Sequence, residues 1–249
     1  MRLPVRFQVL TAVVAALALW PVTPAAAQSS SSQSSAPPAS APRSQAPING
    51  TYVATNPLAG VSYDNKYDLS LTMAYDHMKA GPNLLQGSNL GGLDLTGSRW
   101  FSKRWGLQAS GRAYIGTSGA GVNKFNLKGP AVKQYFFVAG PEWLGPHNQH
   151  GAILAHFLVG GVYGNFEKDL LGQPPALFDF YYNQVAPAAI IGGHFDLNRS
   201  PRWVFRITPD AVMTHYTFSG APYSTQSYAQ FDVNFAISVG MEYKFKGKR

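Results

Sequence analysis

The stretch "FDVNFAISVGMEYKF", Phe231 to Phe245, sets Phe231, Val233, Phe235, Ile237, Val239, Met241, Tyr243 and Phe245 on one parity and Asp232, Asn234, Ser238, Glu242 and Lys244 on the other. Successive side chains of a β-strand point to opposite faces, so a period of two predicts a strand with one oily face and one wet face. The fold then turns on how many such strands there are and which face meets the surroundings.

The same period recurs upstream. It predicts strands over 66–77, 90–101, 105–116, 132–143, 152–164, 183–197 and 203–216, with the quoted stretch inside an eighth at 228–245. The oily parity is clearest in Tyr67, Leu69, Leu71, Met73 and Tyr75, in Leu107, Ala109, Ala113 and Ile115, and in Trp203, Phe205, Ile207, Ala211 and Met213. Opposite them lie Asp68, Ser70, Thr72 and Asp76, then Gln108, Ser110 and Arg112, then Arg206, Thr208, Asp210 and Thr214. The connections alternate too: "SKR", "GPHNQHG" and "NRSP" are short, whereas those after the first, third, fifth and seventh strands run roughly 11 to 18 residues. Short turns at one end and long loops at the other are the pattern of a transmembrane barrel.

A soluble barrel buries its oily parity, and a membrane barrel shows it to lipid. Alternation alone does not separate the two, but tryptophan placement helps, set against the alternative that tryptophans simply cap strand ends in a soluble barrel. Trp100, Trp105, Trp143 and Trp203 all flank the short turns, which predicts an aromatic belt at one bilayer interface. Composition agrees with an all-β chain: 249 residues with 13% charged, 13% aromatic, 25 Gly and 18 Pro.

Residues 1–27 read as a secretory signal peptide, with Arg2 and Arg6 at its start, Leu10 to Trp20 as its apolar stretch and Ala25 to Ala27 before the cut. That stretch is short of the about 20 residues a spanning helix needs. Residues 28–62 are expected to be a disordered linker or tail, because the Ser/Ala/Pro/Gln tract at its start has too little apolar surface to offset the entropy of ordering. The barrel is assigned to 63–245 and a basic tail to 246–249. Zero cysteines exclude disulfides, thiolate metal sites and a lipidated N-terminal cysteine. The formal charge of +8 is spread without a basic helix or basic-aromatic cluster, which argues against nucleic acid and leaves attraction to an anionic membrane surface.

Ser238, Gly240, Tyr243 and Phe245 fit polar-x-Gly-x-x-aromatic-x-aromatic, which resembles the C-terminal β-signal of Gram-negative outer-membrane proteins. "GGHFDLNRSPRWVFRITPDAVMTHYTF", Gly192 to Phe218, is similar to the sixth-to-seventh strand hairpin of the OmpA-like, OmpX-like outer-membrane β-barrels, and residues 63 to 245 as a whole resemble that family. The resemblance implies an eight-stranded antiparallel up-and-down transmembrane β-barrel in the cell outer membrane, with short turns and both termini in the periplasm and four long loops outside. It also implies recognition by the barrel assembly machinery and contact with outer-membrane lipid or lipopolysaccharide. Pro187 and Pro209 fall inside strands, where a missing N–H predicts a bulge or irregular pairing.

Eight strands enclose a space that side chains can fill, so inward polar groups must satisfy one another. Counting across the short turns puts Asp94 opposite Arg112 and His194 opposite Arg206, with Asp196 diagonal to Arg206 and Glu142 diagonal to His156. Closure of the last strand on the first brings Lys244 near Asp68. With Asp210, these residues predict a plug of ion pairs, since an unpaired buried charge is costly.

Two rival sites are weaker. "THYTFSG", Thr214 to Gly220, resembles the His-x-Ser-Asn stretch of outer-membrane lipid A deacylases, but Thr217 and Phe218 stand at the Ser and Asn positions and no carboxylate follows before Asp232. His147 and His150 on one turn make too few ligands for a metal. The expectation is a monomeric, non-enzymatic barrel without cofactor or metal. Its role is structural, or is surface interaction with an unidentified extracellular ligand through loops such as 116–129 and 172–183. A lipid A-modifying hydrolase and a narrow diffusion pore are the alternatives.

Overall fold

The computed structural model describes residues 56–84, 87–120, 128–221, 224–245 and 247; the expected signal peptide and residues 28–55 of the expected tail lie outside the described residues, as does the basic tail apart from Gly247. Eight strands follow one another: β1 (Tyr67–Met78), β2 (Ser88–Trp100), β3 (Trp105–Thr117), β4 (Ala131–His147), β5 (Gly151–Asn165), β6 (Gln184–Asn198), β7 (Trp203–Ser219) and β8 (Ser227–Lys244). A short 3₁₀ turn, Pro175–Phe178, sits in the loop between β5 and β6. Every strand pairs antiparallel with its sequence neighbours, and β8 returns to β1 through pairs such as Asp68↔Lys244 and Met73↔Val239, so the sheet closes as an up-and-down barrel.

The oily parity faces out. Leu71, Met73 and Leu95 are 57%, 76% and 51% exposed, while Ser70, Thr72, Asp94 and Thr96 beside them are buried. A continuous apolar exterior over a filled interior is stable only where hydrocarbon bathes it, so the chain is a transmembrane β-barrel of the outer-membrane type. Several strands reach further than the alternation predicted. The β7–β8 hairpin keeps pairing up to Ser219↔Ser227, which shortens its loop to 220–226.

The prolines act less uniformly than expected. Pro187 pairs with Gly161 without a register shift, and backbone pairing of β6 with β7 runs only from Ala188↔Thr214 onward. Beyond that point the Gln184 side chain substitutes for a peptide: its Nε2 donates to the Thr217 carbonyl at 2.8 Å and its Oε1 accepts from the Thr217 N–H at 3.0 Å. Opposite Pro209 the ladder is interrupted between Gly192↔Asp210 and Phe195↔Ile207, again without a register change. The actual register shift lies in β4–β5 between Leu144 and His147, where Gly145 and Pro146 precede the turn. There the missing proline N–H sits next to a strand end that can bulge freely.

Candidate functional site

The enclosed space has two storeys. The one towards the short turns is polar and built from even-numbered residues of every strand. Arg206 is its centre: Nε and Nη2 donate to the two carboxylate oxygens of Asp196 at 2.8 and 2.9 Å, and Nη2 also meets Glu242. Above it Arg112 bridges Asp94 at 3.2 Å and Asp210 at 2.6 Å, Asp210 reaches His156 Nε2 at 3.0 Å, and Ser110 and Thr96 hydroxyls both donate to Asp94 Oδ1. The His156 and His194 rings lie 4.7 Å apart and join the two clusters. His194 Nδ1 lies 2.8 Å from the Thr208 hydroxyl, and its Nε2 lies 3.3 Å from Gln108 Oε1 and 3.6 Å from Glu142.

Register counting placed these groups with two slips of phase. Asp94 does face Arg112 and Asp68 does face Lys244. Asp196, however, stands directly opposite Arg206, which leaves His194 to Thr208, and Glu142 is directly opposite His156. The pairs across "NRSP" centre on Pro201, one residue later than the count assumed, and the bulge before the β4–β5 turn shifts the other. Lys244 turns from Asp68 to Asn198 Oδ1 at 3.2 Å and lies over the Tyr63 ring at 3.9 Å. Trp100 is the correction to the expected belt: it is buried, and its indole N–H donates to Asp68 Oδ2 at 2.6 Å. It shares its parity with Asp94, Thr96 and Ser98, so the alternation of β2 itself turns it inward. Trp105 and Trp203 are half exposed, and Trp143 shares their outward parity.

Two buried acids were not singled out. Glu242, on the Lys244 parity, completes the Arg206 cluster, and Asp76 is buried opposite Leu90 and Ala236 on the two adjoining strands. Buried Asp68, Asp76, Asp94, Glu142, Asp196, Asp210 and Glu242 outnumber the buried Arg112, Arg206 and Lys244, so acids and bases are not matched pair by pair. At Gly192 the Asp210 carboxylate occupies the space a Cβ would need, so the arrangement around Arg112 depends on that glycine.

The upper storey, towards the long loops, departs from the expected polar filling. Leu90, Val132, Phe136, Leu158, Ile190 and Val212 form an apolar core inside the wall, and the 166–183 loop folds down onto it with Phe166, Leu170, Phe178, Phe180 and Tyr181. Asp179 supports that descent in a left-handed conformation at φ 58°, where the Asp179 and Phe180 amides cap the 3₁₀ turn. Tyr181 donates its hydroxyl to Asp232 at 2.7 Å and lies 5.2 Å from Tyr216, whose hydroxyl accepts from Gln134. Burial and the Asp232 carboxylate push the Tyr181 hydroxyl well above the usual phenol range. No pattern of two announces a loop that re-enters the barrel, but the aromatic density of "ALFDFYY" is the signal that could have found it.

The opposite mouth is closed by the segment before β1. Tyr63 accepts from Asn198 at 2.6 Å and lies against the His147 ring, and with Asp68, Trp100, Leu144 and Arg206 it lines a cavity of about 10 Å³, room for about one water. Burial pushes the Tyr63 hydroxyl up to about 12. At the long-loop end, Pro175, Tyr182, Ser219, Ala221 and Ser227 line an open groove of about 400 Å³.

The rival sites do not assemble. His215 points outward against Phe231, the backbone of Thr217 is held by Gln184, and Asp232 is engaged by Tyr181. His147 Nδ1 lies 2.9 Å from the Gly145 carbonyl oxygen, and among the described residues no group of three or more His, Cys, Asp or Glu is placed to hold a metal.

This fold defines an eight-stranded outer-membrane β-barrel. Among solved structures the chain is similar to the outer membrane protein OprG from Pseudomonas aeruginosa, at TM-score 0.52 and 12% identity over 76% of this chain and 99% of that one. Weaker likenesses are Ail of Yersinia pestis, at TM-score 0.44 and 18% identity over 73% of this chain and 99% of that one, and the E. coli Outer Membrane Protein W, at 0.37 and 11% over 74% and 100%. No family model matches the chain, and neither does any curated relative.

Proposed function

We propose that this protein is a sealed, non-enzymatic barrel whose rigid wall displays its long loops to an extracellular partner. The observation that carries this reading is the filling of the lumen at both levels: ion pairs around Arg112 and Arg206 below, and loop 166–183 packed onto the apolar core above. A stiff wall supporting adaptable loops is the arrangement in which recognition residues sit on the loops. The groove between Tyr182 and the β7–β8 hairpin, with its serines, is the best candidate surface. Tyr243 and Phe245, outward on the closing strand, and Gly240, which lies flat against the Leu71 carbonyl and Thr72, are the residues the assembly machinery would read. Planar-bilayer recording of the purified full chain tests the sealing: the expected trace is flat, and stable, reproducible openings would overturn it in favour of a pore. Mass spectrometry of lipid A from cells with and without the protein tests the second half of the reading, since loss of acyl chains only in its presence would establish a hydrolase.

A further inference from the structure

The two turns that join β2 to β3 and β6 to β7 are built alike. "SKRW", Ser102 to Trp105, and "SPRW", Ser200 to Trp203, share Ser-x-Arg-Trp. In the first, the Ser102 hydroxyl accepts from the Arg104 and Trp105 amides at 3.4 and 2.9 Å, and the Ser102 amide donates to the Trp105 carbonyl at 3.2 Å. In the second, the Ser200 hydroxyl accepts from Arg202 and Trp203 at 3.3 and 3.0 Å, and the Ser200 amide donates to the Trp203 carbonyl at 3.1 Å. Even the outward links match: the Arg104 carbonyl accepts from Leu144 of β4 and the Arg202 carbonyl from Lys244 of β8. In both turns the arginine is therefore held by its backbone while the next residue, a half-exposed tryptophan, starts a lipid-facing parity.

The surroundings of these turns are basic. Around the closed wall from β6 through β8 and β1 to β3, the short-turn end carries Arg199, Arg202, Lys66, Arg99, Lys103 and Arg104 against the acidic Asp64. The long-loop end is balanced among the described residues, with Lys79, Lys128, Lys133 and Lys168 facing Glu167, Asp169, Asp179 and Asp232. Three of these cations lie beside outward aromatics. Arg99 sits on the outward parity opposite Tyr67, Lys66 Nζ lies 5.6 Å from the Tyr67 ring centroid, and Arg202 Nη1 donates to the Tyr243 hydroxyl at 3.2 Å. Tryptophan and tyrosine settle at headgroup depth, and a guanidinium beside them meets the phosphate layer, where its planar fork suits a phosphodiester.

We propose that the two Ser-x-Arg-Trp turns are paired headgroup sites, in which Arg104 and Arg202 bind the phosphates of anionic phospholipids in the adjoining leaflet while Trp105 and Trp203 anchor beside their glycerol backbones. The β4–β5 turn lacks the motif and carries His147 and His150 instead, so the preference is confined to a crescent of the rim.

The test uses the full chain reconstituted in bilayers mixing phosphatidylethanolamine with phosphatidylglycerol, followed by release into detergent and native mass spectrometry of the lipids retained. Wild type is expected to retain phosphatidylglycerol in preference. Arg104→Gln with Arg202→Gln lowers that preference by about fivefold for each arginine removed, while the heat-dependent gel shift of the closed barrel persists. Lys128→Gln with Lys133→Gln and Lys168→Gln leaves it unchanged. Raising the salt to about 1 M, where the screening length falls to about 3 Å, abolishes the wild-type preference, a readout that does not depend on any variant folding. An unchanged preference in the arginine variant, loss only in the lysine variant, or indifference to salt would overturn the proposal. So would competition by soluble glycerol phosphate at the same concentration as the lipid, or wild-type binding to purified cell-wall sacculi that takes the place of lipid retention.

Discussion

The lower and upper storeys of the barrel are filled with opposite chemistry. Around Arg206 each contact is directional, and the removal of one member strands the others. Around Phe136 and Ile190 contacts are many, weak and interchangeable, and a loop from outside supplies part of the filling. The contrast teaches that one repeating strand pattern can fill a lumen either by self-contained pairing across the wall or by borrowing side chains from a connection.

The sharpest way to break the contrast is Arg206→Met. It leaves Asp196 and Glu242 buried without their cation and is expected to cost about 3–5 kcal/mol in urea unfolding from lipid vesicles. Replacing the cluster as a whole, with Asp196→Leu and Glu242→Leu added, should restore most of that loss, because a buried ionic group exchanged for apolar side chains of similar volume is often neutral or better. Next in size is Trp100→Phe, which removes the indole donor from the Asp68 carboxylate and should cost about 1.5–3 kcal/mol by the same measurement. In the upper storey, Ile190→Val should cost only about 0.5–1.5 kcal/mol, and a loss as large as that of Arg206→Met would erase the distinction drawn between the two levels.

The smallest expected effect is alkaline. With its folded pKa raised to about 12 above the ordinary phenol value, Tyr63 contributes stability that is intact below about pH 10 and is lost as pH rises through about 12. Tyr63→Phe should flatten that part of the stability profile and leave neutral pH almost untouched, as followed by tyrosinate absorbance and the unfolding midpoint together.

Strand number, closure and the outward direction of the oily parity were legible because period two survives in every strand, and lipid removes the ambiguity about which face is wet. Asp94 and Arg112 were legible because a tight turn fixes their register. His194 and Glu142 were each misplaced by a phase, since a count across a turn fails where the turn carries a bulge or where its centre lies one residue from the assumed one. Trp100 was misread for a different reason: residue type was allowed to outweigh parity, although Ser98 and Thr96 on the same face already pointed inward. The re-entrant loop was not legible at all from alternation. Its descent depends on tertiary contacts from Phe178 and Tyr181 to strands far away in sequence, and on a left-handed Asp179 that no periodic pattern reports.

Seven of the eight seams of the wall join strands consecutive in sequence, whereas the eighth joins β8 to β1. The Lys66 amide donating to Gly247 and the Phe245 amide donating to Tyr67 extend that last seam past both strands. Until it closes, two long apolar edges stand open to any passing strand, so this protein's most hazardous moment in its life is the interval before its two ends meet. The same adjacency makes it a natural candidate for circularisation: a short peptide bridge from Gly247 to Lys66, with the chain reopened in a long loop, would turn the most distant seam into a local hairpin.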